Sequence, residues 1–273
     1  MRMIDSHVHV VSADQARFPR RAPNDTLSAH ISREISAEEL LAHADQENIE
    51  RIVLVQAFAT YGFDNAYIVD AANRHPDRFA VVSGVNPEIP DAREQSNDRL
   101  KKGARGLRAL AFAEDFDAQS LRALLEPASE VGAAICLLAT PHVLTKLAPV
   151  LVDYPNVPFV LDHCGLQPLD SSLPSLGASA LFALSSLDNI VLKVSSRVFN
   201  KCLGDERDIV SSLVSEFGAE RLMWGSDFPA SSDASYSAAA KRVVQATSNL
   251  TSTDREQILH GTSEQVFWRS PQK

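Results

Sequence analysis

Met3-Ile4-Asp5-Ser6-His7-Val8-His9 reads as a strand whose polar end carries two histidines two residues apart. Seven more short apolar or β-branched runs follow: Arg51–Val55, Phe79–Val85, Gly106–Leu110, Ala133–Leu138, Pro158–His163, Ile190–Val194 and Leu222–Trp224. Several are apolar without alternation, the pattern of parallel strands buried on both faces. Between them lie amphipathic stretches at Ser36–Asn48, Asn65–Arg74, Ala92–Lys102, Ala118–Val131, Val143–Tyr154, Leu176–Leu187, Glu206–Phe217 and Tyr236–Ser248. Ser36-Ala37-Glu38-Glu39 opens the first of these with a capping box.

Eight β-then-α units in 273 residues predict an α/β fold, a single (β/α)8 TIM barrel spanning residues 1–273. A doubly wound sheet that binds a dinucleotide wants a glycine-rich turn after its first strand, and Val8-His9-Val10-Val11 is not one. Val11–Ile35, with Pro19 and Pro23, is a long first βα loop, of a length usually found in functional lids or disordered segments. Thr253–Trp268 is expected to be a closing helix packed on the outside.

Composition narrows the function. Lys+Arg of 26 against Asp+Glu of 35 gives a formal charge of −9, which excludes nucleic acid or an anionic membrane as the main partner but leaves room for a local basic pocket. The longest strictly apolar run, Ala133 to Ala139, is far short of the ~20 residues of a membrane span. The first residues lack a signal-peptide core. Cys136, Cys164 and Cys202 are odd in number and lack CxxC spacing, so no disulfide framework is expected and a reducing cytoplasm is the expected location. Oligomeric state is not readable.

In a barrel, functional residues gather at the carboxyl ends of the strands. Those ends supply His7 and His9, Gln56, Ser83, Arg108 with Arg105 at the other side of its strand, Asp162-His163, Lys193 with Ser195 and Arg197 beyond, and Ser226-Asp227. Histidines two apart on a strand share a face. A lone H-x-H is equally at home on a half-exposed strand. The addition of His163 and Asp227 at two other strand ends is hard to ascribe to packing.

Ile4-Asp5-Ser6-His7-Val8-His9, Leu161-Asp162-His163-Cys164-Gly165 and Met223-Trp224-Gly225-Ser226-Asp227-Phe228-Pro229, with Gly103–Arg108 and Asn189–Ser195 between them, resemble the amidohydrolase superfamily in order over nearly the whole chain. The resemblance is to its lactonase-like branch, which contains 2-pyrone-4,6-dicarboxylate lactonase, sulfomuconolactone hydrolase and sugar-acid lactonases. Many members carry a metal-bridging lysine or glutamate on strand 4 and a histidine on strand 5. Here strand 4 offers arginines, and Ala134-Ile135-Cys136-Leu137-Leu138 has no histidine. A two-metal centre is therefore not expected. His7, His9, His163 and Asp227 are enough for one divalent ion such as zinc, or for a metal-free site, and the branch includes members of both kinds.

Lactone hydrolysis needs an activated water, stabilisation of an oxyanion and protonation of the leaving oxygen. Asp227 suits the first and last tasks, and His7, His9 and His163 suit the second, as donors or through a metal. No G-x-S-x-G elbow supports a serine nucleophile. Cys164, next to His163, points to the other face if both lie on a strand, and reads as a buried structural thiol. Guanidinium forks match carboxylates, so Arg108 and Arg197, with Arg105 and the amide of Gln56, are candidates to bind an anionic lactone. Arg17, Arg20 and Arg21 fit either a closing loop or a charged rim. Lys193 fits either the pocket or a pairing with a core carboxylate. His142 and Tyr61 are weaker loop candidates, while His30, His43, His75 and His260 read as surface or helix residues. The expected activity is hydrolysis of a small carboxylated lactone from aromatic or sugar-acid catabolism. The alternatives are a metal-dependent decarboxylase of an aromatic acid, a lactone isomerase, or an inactive barrel that binds a sugar acid.

Overall fold

Eight parallel strands, hydrogen-bonded in chain order, make one sheet. They are β1 (Met3–Val8), β2 (Ile49–Val55), β3 (Phe79–Gly84), β4 (Gly106–Ala111), β5 (Ala134–Ala139), β6 (Phe159–Leu161), β7 (Ile190–Ser195) and β8 (Leu222–Gly225). The computed structural model describes residues 2–21, 33–167, 169 and 179–268. The sheet curls until its edges meet just past β8. There Phe228 bridges Val8, the His9 N–H donates to the Phe228 carbonyl at 2.8 Å, and the Asp227 N–H donates to the His7 carbonyl at 2.8 Å. Helices at Ala37–Gln46, Ala66–Arg74, Ala92–Lys101, Arg122–Val131, Pro141–Val152, Glu206–Phe217 and Tyr236–Ala246 follow β1 to β5, β7 and β8, and with the short helix Ser179–Phe182 after β6 they make a (β/α)8 barrel. The Ser36 hydroxyl caps the first of them, accepting from the Glu39 N–H at 3.0 Å. Of the helix expected over Leu176–Leu187, Ser179–Phe182 is helical, and residues 176–178 lie outside the described residues.

Successive side chains on a strand point to opposite faces, which divides the apolar residues into two layers. Leu54, Leu107, Ile135, Leu161 and Leu192 belong to the cluster that also holds Leu40, Ile68, Leu124, Leu147 and Leu213 of the surrounding helices. Val53, Val55, Ala80, Val82, Cys136, Val160, Val191 and Met223 form a second cluster, in the barrel's interior. Phe267, from the end of the chain, joins this interior cluster and is 1% exposed. The terminal segment therefore does not simply pack on the outside. It runs as Ser252–Glu256, a π-helical stretch Gln257–Gly261 and Thr262–Phe267, and its end turns an aromatic ring in among the inner side chains.

β6 is also shorter than expected. The chain leaves it at Asp162, and His163, Cys164, Gly165 and Leu166 take left-handed backbone angles (φ 55°, 52°, 65° and 55°). The long loop after β1 is pinned at its base by reciprocal hydrogen bonds of 3.0 Å between Val11 and Ile35. Phe18 from this loop is buried against Tyr67, and residues 22–32 lie outside the described residues. Among the described residues no helix is long and apolar enough to cross a membrane.

Candidate active site

His7, His9, His163 and Asp227 meet at the carboxyl ends of β1, β6 and β8. One oxygen, Asp227 Oδ1, lies 3.7 Å from His7 Nε2, 3.5 Å from His9 Nε2 and 3.9 Å from His163 Nε2. All four side chains are buried. Asp227 itself is left-handed (φ 58°), held by its N–H to the His7 carbonyl and by its own carbonyl, which accepts from the Ser231 N–H at 2.7 Å. Gly225 makes room for His7: a Cβ on residue 225 would stand 2.6 Å from the His7 Cβ.

Each imidazole is oriented by its other nitrogen. His9 Nδ1 donates to the Val55 carbonyl at 2.8 Å, which turns Nε2 toward Asp227. His163 Nδ1 lies 2.7 Å from the Ser195 hydroxyl, a group that both donates and accepts, so Nε2 is free to carry the proton. His7 Nδ1 lies 3.3 Å from Asp162 Oδ1 and 3.4 Å from Lys193 Nζ, so either tautomer finds a partner. Its Nε2 is buried without a hydrogen bond.

Beneath this cluster lies a carboxylate to which sequence reasoning assigned no role. Asp162 Oδ1 is 3.2 Å from Lys193 Nζ, and Oδ2 accepts from Arg108 Nε at 2.8 Å; all three residues are buried. Strict alternation along a strand would turn either Asp162 or His163 away. The left-handed turn at the end of β6 aims both inward, and no hydrophobic pattern announces such a turn. Lys193 thus pairs with a core carboxylate, one of its two expected fates.

Burial disfavours charge on all these groups, and their neighbours decide the outcome. For Asp162 burial is opposed and outweighed by Lys193, His7 and Arg108, which hold the carboxyl well below its usual range. For Asp227 the same penalty is outweighed by His163, His9, His7 and Arg197, and it too stays ionised. Burial dominates at His7, which is pushed well below the ordinary histidine value, and at His163, which falls to about 4.

Above the cluster opens a cavity of about 190 Å³, bordered by His9, His163, Asp227, Arg108 and Arg197 and by apolar side chains. Arg197 donates from Nε to Asp227 Oδ2 at 3.0 Å, which leaves its terminal nitrogens toward the cavity. Arg108 spends Nε on Asp162 and Nη1 on the Gln56 carbonyl at 3.3 Å; Nη2 has no hydrogen-bond partner among the described residues.

Two expected ligand-binding residues are placed elsewhere. Arg105 precedes β4, is exposed, and borders a groove with Lys102 and Phe79 at the opposite end of the barrel. Alternation explains this: Arg105, before the amino end of β4, shares the outward face with Leu107, whereas Arg108 faces the interior and reaches the cavity. The Gln56 amide is turned away from the cavity and donates to the carbonyls of Gly62 and Asp64. It ties down the turn whose Phe58 and Ala59 wall the cavity. Arg17 and Arg20 are committed to Asp70 and Glu34, and Arg21 lies 3.9 Å from Asp64. The Tyr61 hydroxyl is buried and accepts from the Ser12 N–H at 2.8 Å. His142 is exposed, and His30 lies outside the described residues. Cys164 is fully buried with its thiol 3.6 Å from the Lys193 carbonyl, and burial pushes its pKa up to about 12.

His7, His163 and Asp227 each offer a ligand atom, and the three atoms lie within 4.8 Å of one another. Two imidazole nitrogens and a carboxylate oxygen suit a divalent ion such as zinc. The buried, unpartnered Nε2 of His7 fits that use. β4 and β5 bring no further ligand: their inward residues here are Arg108 and Cys136, and the Cys136 thiol is raised to about 11, chiefly by burial.

A family model described as Amidohydrolase matches residues 4–269. The chain is 28% identical over 239 residues to the L-fucono-1,5-lactonase of Burkholderia ambifaria, covering 84% of this chain and 80% of that one. It is 25% identical over 233 residues to the 4-sulfomuconolactone hydrolase of Rhizobium radiobacter, covering 82% and 75%. A Pseudomonas putida crystal structure described as that of a 2-pyrone-4,6-dicarboxylic acid hydrolase superimposes with a TM-score of 0.77 at 26% identity, over 97% of each chain.

Proposed function

The chain belongs to the amidohydrolase family, and from that premise we propose that it hydrolyses a small carboxylated lactone. The observation that carries this reading is Asp227. Its ionised carboxylate sits where three imidazole nitrogens converge, on the wall of a cavity that also presents Arg108 and Arg197. The lactonases among its relatives support the same reaction class.

In this reading a water hydrogen-bonded to Asp227 Oδ1 attacks the ring carbonyl carbon while its proton passes to the carboxylate. His163, neutral and with Nε2 free to carry the proton, donates to the carbonyl oxygen as it becomes an oxyanion. His9, with Nε2 3.5 Å from Asp227 Oδ1, orients that carboxylate from the cavity wall. His7 does not border the cavity and acts by orienting Asp227. Collapse of the tetrahedral intermediate breaks the ring C–O bond, and the leaving oxygen takes back the proton. Lactone plus water gives hydroxy acid. Arg108 and Arg197 hold the substrate's carboxylate. His7, His163 and Asp227 are the residues that would hold one divalent metal, with His9 beside them, and when bound it would supply Lewis acidity at the carbonyl oxygen in place of the His163 proton.

The test is a panel of carboxylated lactones followed by pH indicator, with metal content measured on the same sample. Acid release from at least one of them and no more than one metal equivalent per chain are expected. Carbon dioxide release from an aromatic acid without lactone opening would replace this reading with a decarboxylase.

A further inference from the structure

Arg197 and Asp227 work as a pair, yet they stand on different connections. Arg197 belongs to the short helix Ser196–Lys201 after β7, and Asp227 opens the run of residues 227–235 that leads from β8 into the helix Tyr236–Ala246. The bond from Arg197 Nε to Asp227 Oδ2 at 3.0 Å is their direct tie. A six-residue helix does not sustain itself, and no side chain caps the amino end of this one. Its placement therefore comes from its buried Val198 and Phe199 and from what grips its exposed side.

Arg242 provides that grip. It stands on the helix Tyr236–Ala246 and does not border the cavity. Its Nη1 donates to Asn200 Oδ1 at 2.7 Å and to Asp233 Oδ1 at 3.0 Å, so one nitrogen joins the two connections. Nε and Nη2 both donate to Glu206 Oε1, at 2.9 and 2.6 Å, which fixes the plane of the guanidinium. The guanidinium carbon also lies 5.3 Å from the centre of the Phe199 ring. Asn200 adds a second tie, from Nδ2 to the Ser232 hydroxyl at 2.7 Å. A single exposed ion pair is worth little. A planar fork shared among Asn200, Asp233 and Glu206 restrains direction as well as distance.

Resting on the reading above, in which Arg197 takes the substrate's carboxylate, we infer that Arg242 is a positioning residue for that reaction: by joining Asn200 to Asp233 it holds Arg197 against Asp227, and so governs from outside the cavity how well an anionic substrate is bound. Its effect passes through Arg197. Losing it lets the short helix drift, and a misplacement of ~1 Å is enough to cost about 10²-fold in rate.

Arg242→Met and, as a milder cut of the same tie, Asn200→Ala at an exposed position are compared with wild type and with Arg197→Met. For the acidic lactone 5-oxotetrahydrofuran-2-carboxylate, Arg242→Met is expected to raise KM by roughly three- to tenfold, less than Arg197→Met does. For the uncharged carboxamide of the same ring KM is expected to stay, and in the Arg197→Met background Arg242→Met is expected to add nothing. The same pattern is expected in Kd for cyclopentanecarboxylate against cyclopentanecarboxamide, which carry no lactone. Amide hydrogen exchange needs no ligand, and in Arg242→Met and Asn200→Ala it is expected to quicken together over residues 196–201 and 227–235. Equal rises for acid and carboxamide, full additivity with Arg197→Met, or unchanged exchange in both segments overturns the inference while leaving lactone hydrolysis standing. Selective loss of cyclopentanecarboxylate binding in Arg242→Met, without opening of any lactone by the wild type, supports the inference and removes the hydrolytic reading.

Discussion

Asp162→Asn is the substitution with the largest expected cost for the smallest change in shape. The side chain keeps its volume and loses its charge, while Lys193, fully buried, and Arg108, 4% exposed, keep theirs. Lys193 Nζ then loses a carboxylate at 3.2 Å and Arg108 Nε one at 2.8 Å. Breaking a buried ion pair from one side costs about 3–5 kcal/mol, because the remaining charge is left desolvated. In a chain of this size that lowers the melting temperature by roughly 10 °C. The double variant Asp162→Asn/Lys193→Met removes the stranded ammonium as well, and is expected to recover at least about 2 kcal/mol of the loss. Urea unfolding followed by circular dichroism, with the thermal midpoint alongside, reads both effects. The sign with pH follows from the folded carboxyl being held far below its unfolded value of ~3.9. The gap between wild type and Asp162→Asn is full at neutral pH, stays full down to about pH 4, and closes only as the pH falls further toward the folded value. A single variant within about 1 kcal/mol of wild type, or a double variant less stable than the single, would refute this account of the barrel's interior.

Asp227→Asn is expected to fold and to lower lactone turnover by at least ~10²–10⁴-fold, the range of general base catalysis; near wild-type turnover would remove Asp227 from that role. Arg197→Met is expected to raise KM for an acidic lactone by about ten- to hundred-fold, in line with the ~1.5–3 kcal/mol of a charge-assisted pair. Arg105→Met is expected to leave KM unchanged, and equal effects of the two would contradict the placement of Arg197 at the cavity and of Arg105 at the opposite end of the barrel. Cys136 and Cys164 are expected to resist iodoacetamide in the native protein, because both are fully buried with thiols raised to about 11 and about 12. Mass spectrometry reads the labelling, and inactivation that tracks alkylation of Cys164 would reinstate it as a nucleophile.

The barrel was legible because each strand is a short apolar run and each helix an amphipathic one, features that report local geometry. The grouping of His7, His9, His163 and Asp227 was legible for a related reason, since strand ends of a barrel converge whatever the loops do. What stayed hidden depends on where individual side chains turn. Asp162 stands beside His163 in sequence and faces the same centre only because the backbone turns left-handed after Leu161. Gln56 ends its strand as expected, yet nearby carbonyls in its own turn take up its amide before any ligand can. Arg105 and Arg108 look equivalent on paper, and strand alternation turns Arg105 outward before β4 begins and Arg108 inward to the cavity. Phe267 sits in a stretch that reads as an ordinary amphipathic helix, and periodicity cannot show that its final turn points a ring into the barrel.

The placement of Phe267 divides labour along the barrel axis. The interior is completed from one end by the last described turn of the chain, while Phe58 and Leu166 shape the other end from separate strand-to-helix connections. Changes at the mouth can therefore alter what is bound without touching the plug, and changes to the plug alter whether the barrel holds without redrawing the mouth. New specificities are reachable by exchanging connections at the mouth on a scaffold sealed from below.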